Sequence, residues 1–381
     1  MQYRKLGNSG LSVSALGFGC MRLPVSECGN SGVNTDEASR IIRYAIDNGV
    51  NYIDTAYNYH SRQGENAVGK ALADGYREKV FLATKCPVWL LESPDDFDKY
   101  LSEQMDKLAT DHVDFYLLHS LNENLWDKAK KLKVLDSMEK ACKRGLIRHL
   151  GFSFHDNFDV FREIVDAYEW TLTLIHLNYV DDYYQAGLAG IKYAASKGLG
   201  VVVMEPLRGG KLAQNVPHDV QAVWDKAKIK RSPAEWGLRW VWNHPEVSCI
   251  LSGMSSMDQV IENVRIAGNA HPGSLTGEDL GLIGEAKSIY KDRIKIPCTE
   301  CNYCVPCPNN VAIPDVFSVY NDFFAYGAED SSKENYAYLK KVNADPAACI
   351  ECKKCEDLCP QHLPITHHLK EAKALFEDSG K

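Results

Sequence analysis

The chain has 381 residues, of which 45% are hydrophobic and 25% are charged, as in an ordinary soluble globular protein. Its formal net charge of −8 argues against a nucleic-acid partner and against an anionic membrane surface. No apolar run approaches the roughly 18 residues of a membrane span, and the N-terminus MQYRKLGNSGLSV lacks the apolar core of a signal peptide. We therefore expect a cytoplasmic protein.

From about residue 13 to 267, short β-branched runs alternate with longer amphipathic segments. Eight runs are typical of strands: SALGF, VNYIDT, KVFLATK, VDFYLLH, IRHLGFS, LTLIHLNY, GVVVMEP and VSCILSG. The helix-like segments include Thr35–Asn48, Pro94–Leu108, Lys130–Arg144, Gln185–Lys197 and Met257–Ala267. Eight such strands alternating with helices predict an α/β chain with a parallel (β/α)8 TIM barrel over residues 1–268. A doubly wound open sheet is the alternative, but no G-x-G-x-x-G follows the first strand.

Residues 269–295 are predicted to be a linker with one helix that begins at Thr276 or Gly277. Two cysteine runs follow, and they consist of Cys298, Cys301, Cys304, Cys307 and of Cys349, Cys352, Cys355, Cys359. The second run matches the bacterial C-x2-C-x2-C-x3-C-P pattern of two-cluster ferredoxins, and the first is one residue shorter before its last cysteine. The runs repeat at an offset of 51 residues, or 52 for the fourth cysteine, which indicates an internal duplication.

Two 4Fe-4S clusters explain this spacing best, so residues 296–381 are predicted to form a small α-rich ferredoxin-like iron–sulfur domain. A structural zinc site would need two separated pairs of ligands, and disulfides would need an oxidising compartment. By the ferredoxin pattern, each cluster takes three cysteines of one run and the last cysteine of the other run. Helices are expected in the aromatic-rich segment Pro314–Lys341, as one or two, and in the tail Pro364–Lys381.

Four polar residues follow the ends of successive predicted strands. Asp54 closes the second strand, Lys85 the third and His119 the fourth, while Tyr59 lies on the loop after Asp54. Because active sites of barrels lie at the C-terminal ends of the strands, these side chains are expected to converge. A lysine about 4 Å away would lower the tyrosine pKa by about three units, and the aspartate would keep that lysine charged. Each residue taken alone is better explained as part of a structural ion pair, as a rim aromatic or as a buried histidine, but four such residues at three successive strand ends favour a catalytic group.

The barrel segment resembles the aldo-keto reductases, through YRKLGNSGLSVSALGFG, NYIDTAYNYHSRQGENAVGKAL, VFLATK, VDFYLLH, GFS and SGMSSMDQVIENV. The resemblance implies a barrel that reduces aldehydes or ketones with a nicotinamide cofactor. It implies Tyr59 as proton donor, Lys85 and Asp54 as the groups that tune it, and His119 as the residue that orients the carbonyl. The C-terminal runs resemble the branch of this family that carries a ferredoxin-like extension.

The same resemblance implies a dinucleotide site, with changes. The implied contacts are Ser153, Pro206, Leu207, Gly209, Gln259, Glu262 and Asn263. Three usual residues are replaced, by Phe154, by Leu174 in place of a glutamine, and by Met204 in place of a stacking aromatic. Gly253 and Gln259 stand where the family commonly has the cations that bind a 2′-phosphate, so NAD(H) is expected to be preferred over NADP(H), or bound equally.

The leading hypothesis is an oxidoreductase that reduces a small-molecule carbonyl, or oxidises an alcohol, and uses two 4Fe-4S clusters for electron transfer. One alternative is an electron-transfer protein whose barrel is a docking scaffold, and another is a reductase with purely structural clusters. A redox protein is a possible partner. Trp89 and Trp126 are candidates for the pocket wall, or are packing residues, and neither the substrate nor the oligomeric state follows from the sequence.

Overall fold

The computed structural model describes residues 1–25, 32–298, 300 and 303–377. Contacts divide the chain into two compact units. The first contains residues 1–209 and 234–276, and the second contains residues 210–233 and 277–381. Within the described residues, none of the helices has the length and apolar character that crossing a bilayer requires.

The first unit contains a closed barrel of eight parallel strands, which confirms the predicted fold. After a short hairpin of β1 (Tyr3–Lys5) and β2 (Ser12–Ser14), the barrel strands follow in chain order. They are β3 Leu16–Gly19, β4 Tyr52–Asp54, β5 Phe81–Cys86, β6 Val113–Leu121, β7 Ile147–Phe154, β8 Leu172–His176, β9 Gly200–Met204 and β10 Val247–Ser252. Each strand pairs with the next in sequence, and β10 closes the barrel against β3. The eight predicted strands are all present.

Helices follow the strands, as the alternating pattern predicts. Up to residue 267 they are α1 Thr35–Asp47, α2 Gly64–Ala71, α3 Asp96–Leu108, α4 Glu123–Lys131, α5 Val134–Lys143, α6 Phe158–Ala167, α7 Gly187–Ser196, α8 His218–Trp224, α9 Pro233–Trp242 and α10 Met257–Ala267, of which α8 lies in the second unit. Side chains cap several of their first turns: Asn34 accepts from the backbone N–H of Glu37, and Ser256 accepts from that of Gln259. The caps fix where α1 and α10 begin.

One predicted helix is wrong in its bounds. The segment Lys130–Arg144 was expected to be continuous, but the chain breaks between α4 and α5. Lys133 at this break has a φ of 52°, a left-handed conformation that cannot continue a right-handed helix. The apolar spacing runs on across the break, so the pattern in the sequence did not show it.

The barrel interior is filled by apolar side chains. The buried cluster includes Tyr52, Phe115, Leu174, Val202 and Cys249, one from each of five strands. At the N-terminal end of the strands, the Arg4 guanidinium donates to four carbonyl oxygens. Those of Trp242, Val247 and Ala270 lie 2.7 Å away, and that of His244 lies 3.3 Å away. A packed interior and a tied end leave the opposite, C-terminal face as the place for a site.

The second unit contains the helices α11 Gly277–Asp292, α12 Ile313–Tyr326, α13 Glu329–Lys341, α14 Lys354–Asp357 and α15 Ile365–Glu377. The helix expected to begin at Thr276 or Gly277 is α11, and the aromatic-rich segment forms the two helices α12 and α13. Their apolar faces share a core that includes Val316, Phe317 and Leu369. Several cysteines of both runs pack against this core.

Candidate functional site

The four strand-end residues meet at the C-terminal face of the barrel. Asp54 ends β4, Lys85 lies in β5, His119 lies in β6, and Tyr59 begins a short 3-10 turn after β4. The Lys85 ammonium donates to Asp54 Oδ1 at 2.5 Å and to the Thr55 carbonyl oxygen at 2.7 Å. Its Nζ lies 3.4 Å from the Tyr59 hydroxyl. The chain thus builds a continuous path of polar groups from a buried carboxylate to a phenol.

Burial and the neighbouring charges together set the protonation states of Lys85 and Tyr59. Burial alone lowers the pKa of the Lys85 ammonium, but the Asp54 carboxylate and the Tyr59 hydroxyl outweigh it and raise that pKa. For Tyr59, burial raises the pKa of the phenol, and Lys85 opposes it without overcoming it. We had expected Lys85 to lower the tyrosine pKa by about three units. Desolvation of the phenolate is the larger effect here, so Tyr59 holds its proton at neutral pH.

His119 lies beside Tyr59, and Trp89 lies beside His119. The His119 ring centre lies 6.1 Å from that of Tyr59 and 5.2 Å from that of Trp89. Burial, followed by the charge of Lys85, places the pKa of His119 well below its usual value, so its imidazole is neutral. The expectation that Trp89 forms part of a pocket wall stays a prediction. Trp126 is a packing residue, since it is buried against Trp170 with its indole N–H donated to a glutamate.

A buried polar network lies behind Lys85 and fixes the strand that carries it. The Gln104 amide donates to the backbone carbonyl oxygen of Lys85 at 3.0 Å and to Glu65 Oε1 at 2.5 Å. Thr84 donates to the same carboxylate oxygen at 2.7 Å, and the Tyr116 hydroxyl donates to Gln104 Oε1 at 2.7 Å. Partners on two helices and two strands thus hold the backbone of Lys85 in place.

Several expected dinucleotide contacts have partners within the chain. Ser153, at the end of β7, accepts a 2.7 Å hydrogen bond from the backbone N–H of Ser120. Gln259 accepts from the backbone N–H of Ser255 at 2.9 Å, and Asn263 donates to Ser252 Oγ at 3.0 Å. The Asn263 side chain is buried, and Glu262 is half-buried one residue before it. A bound ligand would share or replace these hydrogen bonds.

Two ion pairs cross the same face, and sequence reasoning missed both. Arg22, just after β3, lies 3.1 Å from Glu205, just after β9, and Arg208 pairs with Asp181. A side chain added at Gly253 would come within 3.4 Å of Arg22, and one added at Gly209 within 2.9 Å of it. Arg22 therefore occupies the space beside the two glycines. The signal available in the sequence was the position of Arg22 just after a predicted strand, at the same end of the barrel as Asp54 and Lys85.

The loop after β9 has the backbone conformation that its glycines allow. Gly209 has a φ of 66° and Gly210 one of 97°, both in the left-handed region that glycine adopts at little cost. Pro206 is buried and Leu207 packs beside Gly237. The segment that carries the implied dinucleotide contacts Pro206, Leu207 and Gly209 is thus a turn held at one end by apolar packing.

Leu174, which stands where the family commonly has a glutamine, belongs to the apolar interior of the barrel, two residues before the end of β8. His176 ends that strand, with its Nε2 3.9 Å from Asp181 and its ring 5.2 Å from that of Tyr184. Since side chains two residues apart share a face of a strand, His176 is the polar residue that this strand offers to the site.

The second cysteine run and the end of the first line one recess in the second unit. Its lining includes Cys307, Cys349, Cys352 and Cys355. These are the four residues that the crosswise pattern assigns to one cluster. Among the described residues, no three His, Cys, Asp or Glu side chains are arranged to hold a single metal ion. Of the other expected set, Cys298 and Cys304 pack against the core that contains Cys359, and Cys301 lies outside the described residues.

The two runs repeat one local geometry. In the first, the backbone N–H of Glu300 donates to Cys298 Sγ at 3.4 Å, and in the second that of Glu351 donates to Cys349 Sγ at 3.4 Å. Glu300 has a φ of 54° and Glu351 one of 58°. The duplication read from the sequence therefore extends to the backbone, and hydrogen bonds of this kind adjust the properties of sulfur ligands.

Comparison with known proteins agrees with both parts of the chain. The sequence model of the Aldo/keto reductase family matches residues 15–272. The chain belongs to the aldo-keto reductase family. A second model, the 4Fe-4S dicluster domain, matches residues 297–363, so this reductase carries an iron–sulfur domain after its barrel.

Individual relatives are distant but cover most of the barrel. The chain is 28% identical over 292 residues to the L-galactose dehydrogenase of Arabidopsis thaliana, covering 69% of this chain and 87% of the relative. It is 31% identical over 236 residues to an uncharacterized oxidoreductase of Bacillus subtilis, covering 56% and 68%. Among solved structures, the holo form of an aldo-keto reductase from Bacillus halodurans superposes with a TM-score of 0.63 at 28% identity, covering 75% and 96%. These matches support an oxidoreductase.

Proposed function

We propose that this aldo-keto reductase reduces the carbonyl group of a small molecule, or oxidises the corresponding alcohol, at Tyr59. The clusters of its C-terminal domain transfer electrons. The observation that carries the catalytic part is the hydrogen-bonded sequence from Asp54 through Lys85 to the Tyr59 hydroxyl, with His119 beside it. Lys85 is buried, and a buried charge is costly unless it is paired, so this group is not an ordinary cluster of charged residues at the surface.

Tyr59 is suited to donate a proton. Burial raises the pKa of its phenol, so the proton is present at neutral pH and is released when negative charge develops on a carbonyl oxygen nearby. The phenolate that remains lies beside the Lys85 ammonium, which Asp54 keeps charged. His119, neutral and bordering the same space, orients the carbonyl through a ring nitrogen. In alcohol oxidation the same groups accept the proton.

The chain's own residues also fit a dinucleotide. Arg22 and Arg208 provide positive charge beside the glycine-containing turn, and Ser153 provides a hydroxyl at the end of β7. When bound, a nicotinamide would supply or accept the hydride. Since Gly253 and Gln259 bring no positive charge to the ribose end, we infer that NAD(H) is bound at least as tightly as NADP(H).

The cysteines fit iron–sulfur clusters. We propose that Cys349, Cys352, Cys355 and Cys307 hold one 4Fe-4S cluster, since these four line one recess. The other cluster would use Cys298, Cys301 and Cys304 with Cys359. Such clusters would each accept or release one electron at a time.

One observation favours a second function. Arg22 and Arg208, the cations nearest the expected dinucleotide site, are each neutralised by a carboxylate. If those ion pairs exclude dinucleotides, the chain is an electron-transfer protein whose barrel serves as a scaffold. This alternative predicts cluster redox activity without carbonyl turnover.

The test is carbonyl turnover by the protein with its clusters intact, measured anaerobically with NADH or with chemically reduced clusters. The substrate panel includes aldehydes, ketones and L-galactose, the sugar named by the plant relative. Tyr59→Phe is expected to lower turnover by about 10²–10⁴, the loss typical of a positioned acid. Tyr57→Phe is the matched control, because its hydroxyl binds Glu103 instead of Lys85. Turnover within a few-fold of the parent in Tyr59→Phe would favour the electron-transfer alternative.

A further inference from the structure

The loop that carries Tyr59 has an unusual backbone. The three residues after it, His60, Ser61 and Arg62, have φ values of 51°, 51° and 72°. Residues with a β-carbon adopt this left-handed conformation only at a cost, and such residues persist where the surrounding structure holds them. The loop therefore needs contacts outside itself to keep Tyr59 in place.

Tyr59 is closely packed where this loop meets α2. A side chain added at Gly64, the first residue of α2, would come within 3.0 Å of Tyr59 Cβ and 3.2 Å of its carbonyl oxygen. The Tyr59 hydroxyl lies 3.4 Å from Lys85 Nζ, at the long end of hydrogen-bond distances. A shift of the loop by a few tenths of an ångström would therefore change the contact between the phenol and the ammonium.

The His60 side chain connects this loop to the turn after β3. Its Nε2 accepts a hydrogen bond from the backbone N–H of Leu23 at 3.1 Å. The Cys20 carbonyl oxygen lies 3.2 Å from the same nitrogen, but the Leu23 N–H already points at Nε2, so that nitrogen carries no proton. Burial, which the Cys20 carbonyl opposes, lowers the pKa of the His60 imidazole and agrees with a neutral ring.

The turn that donates this bond is well anchored. Cys20 and Leu23 are buried, and Gly19, just before them, is the strand partner of Asp54 in the barrel sheet. The N–H of Leu23 is therefore fixed relative to the strand that carries Asp54. A hydrogen bond to this N–H transfers that fixed position to the loop of Tyr59.

A second tie after Tyr59 is weaker. Arg62 pairs with Glu103, but their side chains are 53% and 31% exposed, and solvated ion pairs contribute little. His60 is half-buried, and its hydrogen bond ends on a backbone group instead of a long, mobile side chain. His60 is thus the better candidate for the contact that holds the loop.

We propose that His60 is a positioning residue for Tyr59, which acts by accepting the Leu23 N–H and so holds the left-handed loop against the turn after β3. This hydrogen bond fixes where the Tyr59 hydroxyl lies relative to Lys85 Nζ, and the imidazole itself transfers no proton. Without it, the loop relaxes toward ordinary backbone angles and displaces the phenol. The proposal rests on the role proposed for Tyr59 as the acid.

The test compares His60→Leu with His60→Gln in the anaerobic protein with its clusters intact. Leucine cannot accept a hydrogen bond, whereas the amide oxygen of glutamine can accept the Leu23 N–H in place of Nε2. His60→Leu is expected to lower kcat for carbonyl turnover by about tenfold to 10², as misplacement of a reacting group does, with KM changed by less than about threefold. His60→Gln should keep kcat within about threefold of the parent value.

Two further variants serve as controls. Gly64→Ala is the positive control, because its added methyl group displaces Tyr59 directly and should lower kcat in the same way. His112→Leu is the negative control, since this half-buried histidine lies just before β6, at the opposite end of the barrel. A fall in kcat for Gly64→Ala without one for His60→Leu overturns the proposal. An equal fall for His60→Leu and His60→Gln also overturns it.

A second measurement does not depend on turnover. Hydrogen exchange followed by mass spectrometry should show that Leu23 and residues 57–64 lose protection in His60→Leu and keep it in His60→Gln. Unchanged protection in His60→Leu would mean that the loop holds itself, which overturns the proposal. If the loop depends on His60 in this way but even the parent converts no carbonyl, the catalytic role of Tyr59 fails and its positioning by His60 stands.

Discussion

The barrel face and the recess lined by Cys307, Cys349, Cys352 and Cys355 present reactive groups in different ways. At the barrel face, Lys85 is held by a carboxylate, a backbone carbonyl and a network behind its strand, all provided by the chain. In the recess, three of the cysteines lie outside helices and strands, and Cys355 lies in α14, a helix of four residues. The first site is organised by hydrogen bonds of the protein itself, and the second depends on the group that it would bind.

The two sites differ in whether they need a bound group to keep their geometry. A buried ion pair such as that of Asp54 and Lys85 holds its geometry without a ligand, since breaking it leaves an unpaired charge in the interior. Thiols around a cavity gain their arrangement when the metal binds, because coordination contributes directly to folding. Loss of cofactor should therefore affect the two regions unequally.

The largest expected effect is that of iron removal. The anaerobic protein should contain about eight irons per chain, as two 4Fe-4S clusters require. After chelation, the backbone from residue 303 to 312 and from 343 to 364 should lose protection from hydrogen exchange, while β4, β5 and β6 keep theirs. Exchange measured by mass spectrometry, before and after chelation, tests this. Equal loss of protection in the barrel strands would contradict the independence of the two regions.

Cysteine pairs should separate the crosswise arrangement from one cluster per run. If Cys307 and Cys352 share a cluster, Cys307→Ser/Cys352→Ser loses one cluster and keeps about four irons. Cys359→Ser/Cys352→Ser then affects both clusters and keeps few or none. An arrangement with one cluster per run predicts the opposite pair of results. Cys142→Ser, which changes a cysteine outside both runs, is the control for iron analysis.

The barrel should lose stability in acid because two imidazoles at its C-terminal face are buried. Burial is the largest cause that lowers the pKa values of His119 and His176. Below pH about 6.5 the unfolded chain binds protons on both residues more readily than the folded barrel does. Each residue thus removes up to about 1.4 kcal/mol of unfolding free energy between pH 7.5 and 5.5. His176→Gln should reduce this loss, measured by denaturant unfolding at both pH values, and His271→Gln, an exposed site, should not.

The smallest expected effect concerns the ion pair at the barrel face. Glu205→Gln frees Arg22 from its counter-charge, so NADH should bind about three- to tenfold more tightly, in line with the modest energy of a partly exposed pair. Anaerobic fluorescence titration measures the dissociation constant, and Glu37→Gln, which releases Arg40 on α1, is the control. Unchanged or weaker binding would mean that Arg22 does not face the dinucleotide.

Much of the fold could be predicted because it is encoded in local patterns. The eight barrel strands are near-continuous apolar runs, and α10 matches its predicted bounds because its spacing and Ser256 cap agree. The hairpin β1–β2 was missed, since three-residue strands such as YRK carry no periodic signal. The break at Lys133 was missed because a left-handed residue leaves no trace in apolar spacing.

The candidate site was predictable where it follows strand ends and not where it depends on distant pairs. Asp54, Lys85 and His119 are each fixed by one strand and Tyr59 by the turn after β4, so their convergence follows from the barrel. Arg22 and Glu205 are 183 residues apart, and their contact follows only from the neighbouring positions of β3, β10 and β9. His176 was not predicted, because the apolar run of β8 does not show which of its residues ends the strand at the site.

The Arg4 guanidinium joins the beginning of the barrel to its end. Besides its bonds to Trp242, His244 and Val247 it reaches the carbonyl oxygen of Ala270, and the Gln2 amide donates to that of Gly268 at 2.8 Å. The two termini of the barrel thus lie side by side, at the end opposite the catalytic face. Because both termini lie at the end opposite the catalytic face, a segment attached to either terminus begins away from the reactive groups. A circularly permuted barrel with residues 1 and 270 connected should therefore fold.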